Sequence, residues 1–353
     1  MQPIPANGYS IYFNENGYDQ LNKTISENNY SSIFILTDEH TNEFCLPILL
    51  PNLATEISIE IIEIEAGEGI KNITTCSELW SILSDLGADR KSVLINLGGG
   101  VVTDIGGFIA STFKRGIDFI NIPTTLLGMV DASIGGKNGV DLGNLKNQIG
   151  TINVPKLLVI DSLFLETLSQ QEMKSGLAEM LKHGLIYDKL YWMQFLNLSD
   201  IGFANFDTLI YRSIEIKNEI VKQDPTENGI RKALNFGHTL GHAIESHFLE
   251  TKNALLHGEA IAIGMILESY IAKEKNLLPN DEYIEIKTVI KSIYKEHLFS
   301  ETDINLIIDL LIHDKKNEYG KVQFALIEKI GKSILNQSVE NELIRSSFND
   351  YKS

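Results

Sequence analysis

Four of the chain's eight histidines lie between positions 238 and 257, and that crowding is where chemistry is first suspected. In Arg231-Lys-Ala-Leu-Asn235-Phe-Gly-His238-Thr-Leu-Gly-His242-Ala-Ile-Glu245, Asn235, His238 and His242 stand three and four apart. That spacing puts all three on one face of a helix. His257-Gly-Glu259 follows at the expected start of the next helix, and Gly176-Leu-Ala-Glu179-Met-Leu-Lys182-His183 lies on an earlier one, with Glu179 and Lys182 sharing a face. One Glu with two His is a sound ligand set for a zinc-like divalent cation with open positions. A His pair at i, i+4 is also the chelating pair of His-Glu-x-x-His proteases, but here Thr-Leu-Gly lies between the two and supplies no acid to act as base. By spacing alone, His238 pairs with His242. His247 is five residues further and about 140° round the helix, so it reads as structural or exposed. His40, His183, His297 and His313 have no evident partners in sequence.

Two further segments suit anionic ligands. Leu97-Gly98-Gly99-Gly100-Val101-Val102-Thr103-Asp104 follows a strand-like run and opens a helical one. Glycines there let backbone approach a pyrophosphate, and a helix N-terminus offers amide hydrogens and a positive dipole. The pattern departs from Gly-x-Gly-x-x-Gly, so a tight strand-to-helix turn is the competing reading. Asp38, ending another strand-like run, suits a ribose diol or a simple helix cap. Pro123-Thr124-Thr125 through Asp131, Lys137, Lys146 and Asn147 is rich in small residues, with two lysines and an amide, and reads as a loop wrapping an anion or a surface loop with solvated lysines.

The elements that must hold these residues change in kind along the chain. Ile33–Thr37, Ile57–Ile64, Val93–Leu97, Asp118–Ile122 and Leu157–Ile160 read as strands, and Ser77–Leu86 as a helix carrying Leu79, Leu83 and Leu86. Strands alternating with helices predict a mainly parallel sheet. From about Ser169 the pattern becomes helical: Gln170–Leu185, Phe206–Lys222, Asn235–Leu249, Gly258–Glu274, Asp281–Leu298 and Asp303–His313, then one strand, Val322–Ile327, and a helix near Val339–Phe348. The fold class expected is α/β plus all-α: a Rossmann-like N-terminal domain over 1–165 and a mostly helical metal-binding domain over 166–353.

Composition narrows the partners. The 353 residues carry 47 acids and 30 bases, a net charge of −17. Residues 1–90 hold 14 acids against 3 bases, a net of −11, while 91–182 hold 8 of each. Such a balance argues against nucleic acid and against anionic membranes. No apolar run reaches the roughly 18 residues of a membrane span, and the N-terminus shows no signal segment. Cys45 and Cys76 lack metal-type spacing, so reduced thiols in a cytoplasmic protein are expected.

Taken in order, GGGVVTD, VDASIGGK, GLAEMLKHG, NFGHTLGHAIE, LHGEA and DKK resemble the 3-dehydroquinate synthase family of sugar phosphate cyclases, from about Asp38 to Gly331. The resemblance implies NAD and Zn2+ or Co2+ as cofactors. It implies a small phosphorylated sugar-acid substrate, 3-deoxy-D-arabino-heptulosonate 7-phosphate, which is oxidised transiently, loses phosphate, is reduced again and closes to a carbocycle by an aldol step. By position it makes Glu179, His238 and His257 the metal ligands and moves His242 to the substrate. Asp131, Lys137, Lys182, Asn235 and His242 match catalytic positions. Arg115, Lys137, Lys146, Asn147, Lys182, Lys217, Arg231, Asn235, His242, Lys315 and Lys316 match substrate positions, Arg115 reaching a partner subunit's phosphate in a homodimer. Gly98, Gly99, Gly100, Val101, Asp104, Thr124, Thr125, Asp131, Lys137, Lys146 and Thr167 match the cofactor site, with Asp38, Glu68 and Lys71 beside them. The rivals are another sugar phosphate cyclase, a metal-dependent polyol dehydrogenase of related fold, and a non-catalytic NAD-binding regulator. The expected electrostatics are an acidic exterior around a positive pocket.

Overall fold

The computed structural model describes residues 1–143, 145–196, 203–249, 251–311 and 322–352. The chain divides into two units, Met1–Ser169 and Gln170–Ser353. The first contains β1 (Ile4–Pro5), β2 (Ser10–Phe13), α1 (Asn14–Asn28), β3 (Ile33–Asp38), α2 (Glu39–Phe44), α3 (Leu46–Leu49), β4 (Ile59–Ile64), α4 (Ile73–Asp85), β5 (Val93–Gly98), α5 (Gly100–Thr112), β6 (Asp118–Pro123), β7 (Lys137–Leu142), β8 (Leu145–Ile152) and β9 (Leu157–Ile160). The main sheet runs β1-β2-β9-β6-β5-β3-β4. All its pairs are parallel except β1 with β2. β5 is buried along its whole length, and β3 as far as Thr37. Both therefore carry near-continuous apolar runs, as strands covered on two faces must. One face is filled by Cys76, Leu79 and Leu83 of α4 and Val102, Ile105 and Ile109 of α5, each set at helical spacing, over Phe34, Leu36, Leu94 and Phe119.

The strand order places a ligand site before any residue is considered. After β3 the chain adds β4 on one side, then returns to add β5 on the other. The order of addition reverses between β3 and β5, and open α/β sheets bind ligands beyond the carboxyl ends of strands at such a point. Asp38 ends β3 and Gly98 ends β5.

The stretch expected as an anion-wrapping loop is mostly regular. Gly128–Ala132 is a π-helical turn, and β7 pairs with β8 as an antiparallel hairpin. Its glycines serve close strand approach: a Cβ on Gly150 would stand 2.5 Å from the Asn138 carbonyl oxygen, and one on Gly139 2.7 Å from that of Ile149.

The second unit contains α6 (Gln170–Tyr187), α7 (Lys189–Met193), α8 (Phe203–Gln223), α9 (His238–Phe248), α10 (His257–Glu274), α11 (Asn280–Ile293), α12 (Glu301–Leu310), β10 (Phe324–Lys329), β11 (Lys332–Gln337) and α13 (Asn341–Tyr351). β11 has no counterpart among the expected strands, because its half-exposed residues show no apolar run; it pairs with β10 across Gly331. α11 stops at Ile293, where Tyr294 turns extended and its hydroxyl donates to the Lys174 carbonyl at 2.7 Å.

The larger correction concerns Asn235–Leu249. Ile230–Asn235 is a 3₁₀ turn, and Gly237 at φ +78° separates it from α9, so Asn235 does not share a helical face with His238 and His242. The cause is tertiary. Glu268 of α10, fully buried, accepts the Gly237 N–H at 2.6 Å and the Leu240 N–H at 3.1 Å, capping α9 from a neighbouring helix. This close packing needs Gly264, where a Cβ would sit 2.0 Å from the Gly237 carbonyl oxygen. Gly264→Ala should therefore destabilise the protein by about 1–3 kcal/mol. Gly69→Ala, whose methyl meets nothing within 4 Å, should stay within about 0.5 kcal/mol of the parent. Equal urea midpoints for the two variants would overturn this account of the α9–α10 contact.

Candidate active site

In the first unit the glycine turn closes the gap between β5 and α5. Gly99 is the N-cap of α5, and no side chain caps that end. Its first amides are thus open to an anion. The Gly98 carbonyl accepts from Thr124 N at 3.1 Å, stitching β5 to β6. The Thr125 hydroxyl accepts from Gly128 N at 3.0 Å. A Cβ on Gly99 would lie 3.0 Å from Thr125 Cγ2, and one on Gly100 3.2 Å from Ala132 Cβ, so side chains there would fill the cradle. Val101 is half-buried in the first turn of α5, and Asp131 half-buried in the π-helical turn. The dinucleotide expectation fits this cradle.

Around it runs a charged network. Lys71, 4% exposed, donates from Nζ to Asp104 Oδ2 at 2.6 Å and to Asn147 Oδ1 at 2.7 Å, with Glu68 Oε1 at 3.9 Å. Burial works against its charge, but Asp104, then Glu68, outweigh it and hold the ammonium well above its usual range. Lys146 pairs with Glu68 at 3.5 Å, and Asn147 N donates to Asp141 Oδ1 at 2.6 Å. Lys146 and Asn147 thus join residues 68–71 to the β7–β8 hairpin. Asp38 caps α2 through a reciprocal box with Thr41 at 2.8 and 2.9 Å. The Thr167 hydroxyl donates to the Phe164 carbonyl at 3.3 Å, and Lys137 opens β7 exposed to solvent. Lys114 and Arg115 are exposed and both left-handed, at φ +48° and +71°. Strain of about 1–3 kcal/mol at each is the kind stored at functional sites.

The second unit gathers the sharper constellation. Glu179 of α6 is wholly buried. Its Oε2 pairs with Lys182 Nζ one turn on, and its Oε1 lies 3.4 Å from His238 Nε2 and 3.7 Å from His257 Nε2. His238 opens α9 and His257 opens α10, so two helix starts and one helix middle converge. His242 completes the cluster: its ring centroid is 5.0 Å from that of His238 and 5.6 Å from that of His257. A ligand nitrogen from each of the three imidazoles lies within 4.8 Å of the others. Spacing favoured His238 with His242, and the resemblance favoured Glu179, His238 and His257; the structure brings all four together.

The flanking polar groups are also buried. Lys217 of α8 and Arg231 of the 3₁₀ turn are 6% and 3% exposed. Arg231 Nη1 donates to the Pro225 carbonyl at 2.7 Å. Asp224 organises that loop by accepting from the backbone of Asn228, Gly229 and Arg231 at 3.1, 2.6 and 3.1 Å. Burial opposes its charge, but these N–H groups outweigh it and hold the carboxyl below its usual range. Asn235 Nδ2 donates to Glu227 Oε1 at 2.6 Å. Lys315 and Lys316 lie outside the described residues.

Three residues here escaped the sequence reading. Glu227 accepts from Asn235, Glu268 caps α9, and Glu245 accepts from His257 Nδ1 at 3.2 Å. Only Glu245 left a signal: it lies seven residues past His238 and three past His242, on the same helical face. Two of the remaining histidines have partners of their own, and His313 lies outside the described residues. His247 Nε2 pairs with Asp303 at 2.9 Å, and His183 Nδ1 meets the Ser213 hydroxyl at 2.7 Å. Cys45 and Cys76 are buried free thiols, both pushed up to about 11 by burial, which leaves little thiolate for reaction.

A divalent cation fits the cluster by its chemistry. One carboxylate and two imidazoles present donor atoms to a common point, and each imidazole is anchored through its other nitrogen: His238 Nδ1 to the Phe236 carbonyl at 3.1 Å, His257 Nδ1 to Glu245. Burial opposes a proton on His257, but Glu245 and Glu179 outweigh it and raise the group to about 10. Two carboxylates around one imidazole thus demand a positive charge at this point.

Comparison with known proteins agrees with this picture. A family model for the N-terminal part of 3-dehydroquinate synthase matches residues 61–175, and one for its C-terminal part matches 176–317. The 3-dehydroquinate synthase of Parabacteroides distasonis is 40% identical over 335 residues, spanning 94% of this chain and 95% of that one. Among solved structures, 2-epi-5-epi-valiolone synthase from Streptomyces hygroscopicus, with NAD+ and Zn2+ bound, superposes with a TM-score of 0.85 at 26% identity, covering 100% of this chain and 99% of that one. A 2-deoxy-scyllo-inosose synthase complexed with carbaglucose-6-phosphate, NAD+ and Co2+ reaches a TM-score of 0.87 at 24% identity over 99% of both chains, a likeness of fold.

The Lys71 network makes a separate prediction. Lys71→Ala leaves the Asp104 carboxylate without its 2.6 Å partner and should lower unfolding stability by on the order of 3 kcal/mol. A denaturation curve indistinguishable from the parent's would show that this ion pair does not hold the hairpin to α5.

Proposed function

The chain belongs to the 3-dehydroquinate synthase family, and on that premise we propose that it converts 3-deoxy-D-arabino-heptulosonate 7-phosphate to 3-dehydroquinate and phosphate, a step of the shikimate pathway. The observation that carries this reading is the meeting of buried Glu179 with His238, His257 and Lys182, in a chain 40% identical to a known synthase along nearly its whole length.

The open α5 N-terminus behind Gly98, Gly99 and Gly100 would hold the pyrophosphate of NAD, with Asp104, Thr124 and Thr125 beside it. Glu179, His238 and His257 would hold Zn2+ or Co2+. When bound, NAD supplies a hydride acceptor that is regenerated within one turnover, and the cation supplies a Lewis acid for the hydroxyl being oxidised. The rest falls to the chain's own side chains. Lys182, Lys217 and Arg231 are buried cations matched to the substrate's phosphate and carboxylate, and charge-assisted bonds are strongest where water is excluded. Asn235 presents an amide from the 3₁₀ turn, and its bond to Glu227 fixes the direction of that amide. His242 is more exposed than Glu179 and lies beside the ligands, a position suited to moving a proton on the substrate without occupying a coordination position. Holding the ring-opened product within reach of its own carbonyl favours the closing aldol step.

Asp131, Lys137, Lys146 and Asn147 would complete the substrate and cofactor contacts, with Lys315 and Lys316 added on the resemblance alone. Arg115, held exposed at φ +71°, is the residue through which we propose a homodimer acts. A cytoplasmic setting accords with two buried free cysteines.

The deciding assay mixes the protein with the heptulosonate phosphate, NAD+ and zinc, and follows phosphate release and 3-dehydroquinate. Stoichiometric appearance of both without net NADH is expected; net NADH formation from a polyol instead would favour the dehydrogenase reading. His257→Ala should lose metal and turnover while still binding NAD. His242→Ala should keep its metal and lose about 10²–10⁴-fold in rate, the usual worth of a positioned proton-transfer group. Loss of metal from His242→Ala would transfer the ligand role to that residue.

A further inference from the structure

We propose that Glu245 is a positioning residue for the metal centre: its carboxylate holds the His257 ring so that Nε2 faces the cation. This rests on Glu179, His238 and His257 being the ligands, as proposed above.

The geometry is specific. Glu245 is 4% exposed, and its Oε2 stands 3.2 Å from His257 Nδ1. The opposite ring nitrogen, Nε2, is 3.7 Å from Glu179 Oε1. A hydrogen on Nδ1 donated to Glu245 leaves the Nε2 lone pair directed at the cluster, which is the tautomer a metal requires. His238 is arranged alike, with Nδ1 toward the Phe236 carbonyl at 3.1 Å and Nε2 toward Glu179 at 3.4 Å. The two ligands therefore differ in their anchors, one a neutral carbonyl and one a carboxylate. A carboxylate partner raises the basicity of the ring it holds, which makes His257 the stronger donor of the pair. Helical spacing explains how one segment does this: His238, His242 and Glu245 fall within about 60° on α9, so the helix that carries one ligand also braces the other.

The rival role for Glu245 is a plain tie between α9 and α10 with no bearing on metal. Chelator-stripped protein titrated with zinc ion alone, in competition with a chromophoric zinc chelator, separates the two. Glu245→Ala should weaken zinc binding 10–100-fold, the usual effect of losing such a partner. Glu245→Gln, which still accepts the Nδ1 hydrogen but lacks the charge, should fall between that and the parent. The visible absorption of the Co2+-loaded protein should shift in both variants, and NAD binding should not change. Parental zinc affinity and cobalt spectrum in a folded Glu245→Gln would overturn the proposal, and that isosteric variant decides the matter if Glu245→Ala does not fold. A parent that binds zinc no better than His257→Ala would instead sink the ligand assignment beneath it.

Discussion

The structure of the helical unit turns on one buried carboxylate. Glu179 has no exposed surface, and a lone charge in such a place would cost several kcal/mol. Its two oxygens are used differently. Oε2 is neutralised by Lys182 one turn along the same helix, a pairing that needs no tertiary structure to form. Oε1 points at two imidazoles whose helices begin far apart in sequence. Half of the charge is thus settled locally and half is left for whatever the histidines bind, so the cluster is poised for a cation.

Holding two helix starts against one carboxylate demands close backbone approach. α9 begins at a left-handed glycine and is capped by Glu268 from α10, and α10 begins where a Cβ on Gly258 would meet the Ser175 carbonyl of α6 at 2.1 Å. The glycines in Phe236-Gly237-His238 and His257-Gly258-Glu259 therefore admit neighbouring backbone beside each histidine. A second acid, Glu245, then sets the ring that the first one faces. Three buried glutamates act in sequence: Glu179 faces the imidazoles, Glu245 holds the His257 ring, and Glu268 caps the helix that carries His238.

Much of this was legible in the sequence, for identifiable reasons. β3, β5, β6 and β9 announce themselves as apolar runs because both faces of the sheet are covered, and the long helices because one face of each is apolar. Glu179 with Lys182, and the two histidine starts, stand out by residue type. What could not be read is what depends on distant partners. The face shared by Asn235, His238 and His242 was inferred from spacing, and Gly237 with its cap from Glu268, thirty-one residues on, breaks it. The hairpin of β7 and β8 passed for a loop because its glycines look like freedom when they serve strand contact. β11 left no trace, being half-exposed on a two-stranded ribbon.

The net charge of −17 can be weighed against this arrangement. Most of it belongs to residues 1–90, whereas the buried side chains of Lys182, Lys217 and Arg231 belong to the second unit. Surface charge is screened within about 8–10 Å at physiological salt, but buried groups are screened far less. A small anion that reaches these buried side chains is therefore governed by them more than by distant surface charge. The net charge of −17 is in this way compatible with a small ligand that bears both a phosphate and a carboxylate.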